Sequence, residues 1–292
     1  MNRLKIWIEA VRLRTIPVSV AGVIAGVAYG AMFAPLRWGA AAACMAFAIL
    51  AQIASNFANE YFDYRDGLDR PGREGPRRGV TEGDITPRAM LIATVTTIVL
   101  ACLCGCVLLF YGPWWLVIAG AVIALAVFAY SAGPWPLSRH AMGEVMVVVF
   151  FGIVPVMLSC FLQCDLWPTE SIYGSIAIGL MTANVLIVNN YRDRNDDASV
   201  GKTTLAVIIG PRLTLCLYLL NGIAACALVW GVWTRLGCVA VPIAYLCLHL
   251  ILTALLATRS GKALNPLLGI TAMLVLVYSI AFAIATSISI QQ

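Results

Sequence analysis

Asn59-Glu60-Tyr61-Phe62-Asp63 closes a long apolar run, and Asn189-Asn190-Tyr191-Arg192-Asp193 closes another one later in the chain. Both stretches have the pattern N-x-Y-x-D, and further aspartates follow each of them. Ten of the 14 acidic residues lie within residues 60–84 and 193–197. Acidic side chains beside a membrane interior are costly unless they are paired. Divalent cations could compensate two such clusters that face each other, and these cations commonly hold phosphate groups.

The composition is that of a polytopic membrane protein. Of the 292 residues, 61% are hydrophobic and only 11% are charged, whereas a soluble domain has roughly 25% charged residues. The N-terminal segment shows no cleavable signal pattern, and the first apolar run is too long for the core of a signal peptide. We therefore expect the membrane segments to be retained, in a single domain that covers residues 1–292.

Nine apolar runs approach the length of about 20 residues that a membrane-spanning helix needs. They cover residues 16–35, 38–60, 88–110, 113–131, 143–164, 169–191, 211–234, 237–257 and 264–288. The predicted fold class is therefore all-α, with nine transmembrane helices around a central cavity.

The charge distribution predicts the orientation. If the N-terminus is cytoplasmic, 17 of the 19 Lys and Arg residues fall on the cytoplasmic side, and only Arg37 and Arg235 fall on the other side. Basic loops are retained in the cytoplasm, so both N-x-Y-x-D stretches are expected there. Four predicted helices separate the two copies, which therefore run in the same direction. This suggests an internal duplication with motifs at 59–69 and 189–197.

Helical spacing places the polar side chains of each stretch on one face. Residues four apart share a helix face, so Asn189, Asp193 and Asp197 point the same way, as do Asn59 and Asp63. Asp69 follows Gly67 and is expected where the helix has loosened. Oxygen ligands of this kind suit Mg²⁺, and two such faces could hold two or three ions around a diphosphate. Asp66 lies close to the face of Asn59 and Asp63, so the spacing leaves it open as a further metal ligand.

Basic residues accompany both acidic clusters. Guanidinium groups bind phosphate oxygens in a bidentate manner, and lysine supplies a point charge. Topology alone would place arginines on this side of the membrane, but their position against the acids favours a phosphate site. Arg70, Arg73, Arg77 and Arg78 follow the first cluster, and Arg194 and Lys202 follow the second.

The segment 130–144 contributes two further polar groups. Tyr130 lies at the end of an apolar run, where a tyrosine is commonly an interfacial anchor. Glu144 begins another apolar run, where a charge is costly. Glu144 fits two roles equally well, at the positive end of a helix dipole or in contact with a substrate.

These motifs resemble those of the UbiA superfamily of intramembrane prenyltransferases, and the resemblance covers nearly the whole chain. Within the superfamily, the chain is most similar to the branch that prenylates 1,4-dihydroxy-2-naphthoate. The chain departs from the family at Glu60, where aspartate is usual, and at Leu13, where proline is usual. The matching residues are Asn59-x-Tyr61-x-Asp63-x-x-x-Gly67-x-Asp69, Arg73-x-Gly75-Pro76-x-Arg78, Tyr130-x-x-Gly133-Pro134-x-Pro136-Leu137, Gly143-Glu144, and Asn189-Asn190-x-Arg192-Asp193-x-x-x-Asp197-x-x-x-Gly201-Lys202-x-Thr204.

The resemblance implies a Mg²⁺-dependent aromatic polyprenyltransferase in the bacterial inner membrane, with its active site facing the cytoplasm. Its implied partners are a polyprenyl diphosphate, 1,4-dihydroxy-2-naphthoate and membrane lipid, with no nucleic acid. Departure of diphosphate would leave an allylic cation, which the naphthol ring attacks through the carbon that bears the carboxylate. Loss of CO₂ then gives a demethylmenaquinol, a step of menaquinone biosynthesis. The implied metal ligands are Asn59, Asp63, Asp69, Asn189, Asp193 and Asp197. The implied diphosphate ligands are Asn59, Arg73, Arg78, Asn189, Arg192 and Lys202. The implied catalytic residues are Asp63, Asp193, Lys202 and Tyr130, the last beside the reacting carbon.

Two alternatives remain open at this point. One is a prenyltransferase of the same superfamily with a different acceptor, such as 4-hydroxybenzoate, homogentisate or a heme side chain. The other is a secondary transporter that couples transport to ions through its intramembrane acids. Transporters tend to place such acids near the midplane of the membrane, whereas these acids lie at helix ends beside arginines.

Overall fold

The structure is a computed structural model that describes residues 3–71 and 74–291, and in these ranges all regular secondary structure is helical. A π-helical segment, Val148–Ile153, joins α6 directly to α7. The helices are α1 (Arg3–Val11), α2 (Ile16–Ala31), α3 (Trp38–Arg65), α4 (Pro87–Val107), α5 (Leu116–Ser131), α6 (Gly143–Val147), α7 (Val154–Cys164), α8 (Thr169–Ser199), α9 (Leu205–Arg235), α10 (Ala240–Thr258) and α11 (Asn265–Gln291).

The predicted all-α membrane architecture is confirmed. Within the described ranges, eight helical segments are long and apolar enough to cross a membrane, and α5 is a shorter apolar helix of 16 residues. With α5 included, each of the nine predicted runs corresponds to one helix, except the run 143–164, which corresponds to α6, the π-helical segment and α7 in continuous succession. Since α5 is shorter than a typical span, the count of nine transmembrane helices stays a prediction.

Three helix ends differ from the predicted boundaries by five residues or more. Helix α3 continues to Arg65 and α8 continues to Ser199, beyond the predicted ends at 60 and 191. Helix α9 begins at Leu205 and is bent at Gly210, which precedes Pro211. The predicted boundaries of α3 and α8 followed the apolar runs, whereas both helices continue through polar turns. The predicted start of α9 followed Gly210-Pro211, but the apolar segment before this bend is also helical.

Helices α3 and α8 end in the same way, with a glycine in the left-handed region of backbone space. Gly67 has φ 70° and Gly201 has φ 75°. In each case the next backbone amide donates to the carbonyl of an aspartate in the last turn, Asp63 at 2.8 Å and Asp197 at 2.9 Å. This is the Schellman arrangement, in which glycine adopts positive φ without a steric penalty. Both helices therefore end beside their acidic residues. Asp69, which follows Gly67, lies beyond the end of α3, as the sequence predicted.

The two basic residues predicted on the far side lie at the other end of the bundle. Arg37 precedes the first turn of α3 and pairs with Asp165, and its backbone amide donates to Gln163 at 2.7 Å. Arg235 ends α9 and lies 3.0 Å from Glu170, at the start of α8. These two ion pairs therefore lie at the starts of α3 and α8, whereas the acidic clusters lie at the ends of the same helices.

Helix α8 and the π-helical segment pack against each other through close contact of two glycines. A Cβ atom on Gly152 would lie 2.3 Å from the Cα of Gly179, so α8 and the π-helical segment touch through their backbones. Small residues allow such an approach between helices in membranes. The π-helical turn immediately precedes α7, whose second residue is Pro155. Proline cannot donate a backbone hydrogen bond, and a π-turn is one way for a helix to accommodate it.

We expect Gly152→Ala to lower the unfolding temperature in detergent, because its methyl group would overlap backbone atoms of α8. Overpacking of this kind costs about 1–3 kcal/mol. Gly231→Ala is the matched control, because a Cβ at Gly231 has no neighbour within 4 Å. Thermal unfolding of both variants measures the difference. Equal unfolding temperatures would show that the two helices do not approach as closely as described.

Candidate active site

A cavity of about 900 Å³ lies inside the bundle and ends beside the last turns of α3 and α8. Its lining runs along α3 from Cys44 to Asn59, which corresponds to about 22 Å at 1.5 Å per residue. The deep part is apolar, with walls that include Phe47, Leu116 and Leu158, whereas Asn, Asp, Arg and Lys side chains surround the other end. The cavity therefore suits a ligand with a long apolar tail and an anionic head.

Asn59 organises the side of the site that α3 provides. Its Nδ2 donates to Asp63 at 3.0 Å and to the Ser131 hydroxyl at 3.3 Å. Its Oδ1 accepts hydrogen bonds from Arg12 at 3.0 Å and from Arg78 at 3.1 Å. The amide thus holds one carboxylate and two guanidinium groups at the polar end of the cavity.

Asp63 keeps one carboxylate oxygen without a hydrogen bond from the described residues. The residue is 4% exposed, and its buried Oδ1 has no donor in the part of the chain that the structure describes. The Arg139 guanidinium lies 3.9 Å from this oxygen, but it donates instead to Asp66 at 2.7 Å. A hydrogen bond from Arg65, and a second from Arg139, holds the pKa of the Asp66 carboxyl below its ordinary value. The uncompensated Asp63 oxygen is therefore the atom that a cation would satisfy.

Arg78 connects the loop after α3 to the same cluster. Its Nε lies 3.2 Å from Asp69, and its Nη1 lies 3.9 Å from Glu60. Glu60 also accepts a hydrogen bond from the backbone amide of Val80 at 3.0 Å and is 1% exposed. Glu60 therefore anchors the loop, which gives this departure from the family pattern a structural role.

On the side of the site that α8 provides, Arg192 binds its acidic neighbour. The guanidinium donates to both oxygens of Asp193, at 2.7 and 2.8 Å, and is 5% exposed as a residue. It also donates to Asn189 and to Asn265, each at 2.8 Å. Arg192 is thus shared between the last turns of α8 and the first residue of α11.

The two clusters converge, as the sequence predicts. Asn59 and Asn189 line the same cavity. The loop after α3 also meets α8 directly, because the backbone amide of Glu74 donates to Asp196 at 3.3 Å. The loop after α5 joins them, since the carbonyl of Arg139 accepts hydrogen bonds from the amide and the hydroxyl of Thr203.

The predicted site residues divide into two groups. Three predicted metal ligands do not line the cavity. Each of them forms an ion pair with a basic residue that lines the cavity. Asp69 pairs with Arg78, Asp193 pairs with Arg192, and Asp197 pairs with Lys202 at 3.3 Å. Arg73 lies outside the described residues. The predicted residues on the cavity wall are Asn59, Asp63, Arg78, Tyr130, Asn189, Arg192 and Lys202.

The donor set fits Mg²⁺ only if substrate contributes ligands. Among residues 3–71 and 74–291, no group of three His, Cys, Asp or Glu side chains comes close enough to hold an ion. Magnesium commonly uses one or two carboxylates and completes its octahedron with water and substrate phosphates. The free oxygen of Asp63, with the amide oxygen of Asn189 and a diphosphate, meets that requirement.

The sequence interpretation missed several residues of the site. Arg139 is the one arginine of the loop after α5, and Asn265 is the polar residue that begins α11. Neither belongs to an acidic cluster, so spacing gave no signal for either. The structure also places Glu144 in the first turn of α6, 8% exposed, with its Oε1 accepting a hydrogen bond from Asn190 at 2.8 Å.

The fold and the site together define an integral membrane protein with an intramembrane cavity that ends at paired Asp, Asn and Arg clusters. The model of the UbiA prenyltransferase family matches residues 16–273. The chain therefore belongs to the UbiA prenyltransferase family.

Similar proteins agree with this assignment. A 1,4-dihydroxy-2-naphthoate octaprenyltransferase of Mycobacterium tuberculosis is 33% identical over 95% of both chains. The protein of that name from Escherichia coli is 36% identical over 72% of this chain and 70% of its own. The solved structure of a UbiA homolog from Archaeoglobus fulgidus, bound to DMAPP and Mg²⁺, has a TM-score of 0.66. It is 16% identical and covers 95% of this chain and 99% of that chain, so it supports the fold alone.

Proposed function

We propose that this protein transfers a polyprenyl group from a polyprenyl diphosphate to 1,4-dihydroxy-2-naphthoate. Diphosphate and CO₂ leave, and a demethylmenaquinol forms for menaquinone biosynthesis. The observation that carries the proposal is the cavity, whose long apolar part ends at Asn59, Asp63 and the basic residues around them. The relatives that are 33% and 36% identical, both named for this acceptor, support the choice of naphthoate.

The polar end of the cavity faces the cytoplasm in this proposal. The positive-inside rule supports this orientation, because 17 of the 19 Lys and Arg residues fall on that side when the N-terminus is cytoplasmic. A soluble naphthoate would then reach the site from the cytoplasm. The polyprenyl tail would lie in the apolar part of the cavity, within the membrane.

The diphosphate would bind among the basic side chains of the cavity wall. Arg12 and Arg78 already converge on the Asn59 amide, and Lys202 is held beside Asp197. Charge-assisted hydrogen bonds from these groups would become stronger as negative charge develops on the leaving oxygens. Bound Mg²⁺ would supply Lewis-acid stabilisation of the same charge. Asp63 and Asn189 would hold that metal. The carboxylates of Asp69, Asp193 and Asp197 would join them once each has exchanged its basic partner, Arg78, Arg192 or Lys202, for the metal.

The reaction balances without a protein base. The bond from the allylic carbon to the diphosphate oxygen breaks, and diphosphate keeps the electron pair. The naphthoate carbon that bears the carboxylate forms the new bond, and the electrons of its bond to CO₂ restore the aromatic ring. Tyr130 lines the cavity on the last turn of α5, where its ring would shelter the allylic cation from water.

Purified protein should release CO₂ and form a prenylated quinol from 1,4-dihydroxy-2-naphthoate and a polyprenyl diphosphate when Mg²⁺ is present. Removal of Mg²⁺ with a chelator should stop turnover, and added Mg²⁺ should restore it. Replacement of the acceptor by 4-hydroxybenzoate or homogentisate tests the alternative acceptors. Absence of prenyl transfer to every acceptor, in a folded sample that still binds prenyl diphosphate, would contradict the proposal.

A further inference from the structure

Asn190 and Glu144 form a buried pair next to the face of α8 that carries Asn189 and Asp193. Asn190 lines the cavity and is 5% exposed. Its Nδ2 donates to Glu144 Oε1 at 2.8 Å, and the other oxygen of Glu144 is buried without a hydrogen bond from the described residues. A buried carboxylate in an apolar span is costly. The assigned roles of Asn189 and Asp193 leave this pair without a function.

The hydrogen bond to Glu144 fixes the orientation of the Asn190 amide. A carboxylate only accepts hydrogen bonds, so the amide must direct its NH₂ group toward Glu144. The carbonyl oxygen then points away from Glu144, and no described residue donates to it. Because Asn190 lines the cavity, this oxygen is an oriented acceptor for a hydroxyl group of a bound ligand.

The surroundings of the pair favour the aromatic substrate over the diphosphate. A carbonyl oxygen backed by a carboxylate repels phosphate oxygens and attracts hydroxyl donors. The neighbouring wall is aromatic, and a Cβ at Gly143 would lie 3.6 Å from the Tyr130 hydroxyl. The same Cβ would lie 3.0 Å from Leu186 Cδ2, so the lack of a side chain at Gly143 lets the first turn of α6, which carries Glu144, pack close to Tyr130 on the cavity wall.

We propose that the Asn190 carbonyl accepts a hydrogen bond from a ring hydroxyl of the aromatic acceptor, and that Glu144 is the positioning residue that orients the amide. The proposal rests on the proposed function, because it assigns a subsite for the acceptor of that reaction. A hydrogen bond from a ring hydroxyl to a fixed carbonyl pushes electron density into the ring. That density favours attack on the allylic carbon, and the same contact selects hydroxylated rings.

The test compares inhibition by 1-hydroxy-2-naphthoate and 4-hydroxy-2-naphthoate, each of which lacks one ring hydroxyl. Against the wild type, one analogue should inhibit more strongly, because it retains the hydroxyl that Asn190 binds. A site built for a hydroxyl discriminates strongly against its absence. Asn190→Leu should reduce the ratio of the two inhibition constants at least tenfold, with little change in the KM for prenyl diphosphate.

Two Glu144 variants test whether Glu144 orients the Asn190 amide or only stabilises the fold. Glu144→Gln keeps a carbonyl that accepts from Asn190 Nδ2, so it should preserve the ratio of inhibition constants. Glu144→Leu frees the amide to rotate and should reduce the ratio toward that of Asn190→Leu. A lower kcat with an unchanged ratio in Glu144→Leu would assign Glu144 to stability alone and overturn its positioning role.

Asn56 provides the matched control because it is an asparagine on the same cavity wall with both ends of its amide engaged. Its Oδ1 accepts from Gln52 at 3.2 Å, and its Nδ2 donates to the carbonyl of Val11 at 2.9 Å. Asn56→Leu should leave the ratio of inhibition constants unchanged, whatever it does to stability. An unchanged ratio in Asn190→Leu, or equal inhibition of the wild type by both analogues, would overturn the inference. Wild-type prenyl transfer in the same assay tests the proposed function separately.

Discussion

Asp63→Asn is expected to reduce prenyl transfer by a hundredfold to a thousandfold, or more, while the unfolding temperature of the protein without Mg²⁺ changes little. The asparagine keeps the shape of the side chain and can still accept the hydrogen bond from Asn59. It loses the charge on a buried oxygen to which none of residues 3–71 and 74–291 donates a hydrogen bond. Loss of one electrostatic contact to a transition state typically costs about 3–4 kcal/mol, whereas the resting protein loses no hydrogen bond.

The matched control for this prediction is Asp84→Asn, on the same connection between α3 and α4. Asp84 pairs with Arg77, and its carboxylate is partly exposed, so we expect activity within threefold of the wild type. Initial rates at saturating Mg²⁺ and thermal unfolding in the presence of a chelator give the two required measurements. Near-normal turnover of Asp63→Asn would remove this carboxylate from the metal site.

Asp193→Asn would be a less direct test of the metal site, although Asp193 belongs to the same sequence pattern. Its carboxylate receives two hydrogen bonds from Arg192, which is itself almost fully buried. Removing one partner of a buried ion pair commonly costs about 3–5 kcal/mol, because the other charge is left uncompensated. A loss of activity in this variant would therefore combine a catalytic effect with a folding effect.

The sequence predicted those parts of the site that depend on local periodicity. Asn189, Asp193 and Asp197 lie four residues apart, and α8 is helical through Ser199, so they share one face, as predicted. The apolar runs likewise identified every membrane-length helix of the described ranges. Both features follow from helix geometry within one segment, which a single sequence contains in full.

The pairing of charges was not predictable from the same information. Neighbouring residues on a helix do not normally face each other, yet Arg192 turns back to hold Asp193 and reaches Asn265 on α11. Arg139 reaches Asp66 from a loop that is 73 residues away in sequence. Such contacts depend on how distant segments pack, so they are visible only in the folded chain.

Gly120→Phe is expected to block long donors selectively and therefore to lower activity with octaprenyl diphosphate by more than tenfold. Gly120 lies on α5 and lines the apolar part of the cavity, and a Cβ atom there has no neighbour within 4 Å. A phenylalanine can enter this space without displacing the backbone, and it removes volume that a long tail would occupy. Geranyl diphosphate has a short tail that stays near the polar end, so its kcat/KM should remain within threefold of the wild-type value.

Gly231→Phe supplies the control for adding an aromatic side chain to a glycine in open space. Gly231 also has no neighbour within 4 Å, but it is exposed on α9 and does not line the cavity. This variant should retain the wild-type ratio of kcat/KM for the two donors. If Gly120→Phe also retained that ratio, the apolar part of the cavity would not hold the polyprenyl tail. If it reduced activity equally with both donors, the added ring would act on the polar end of the site, and the proposed direction of the tail along α3 would be wrong.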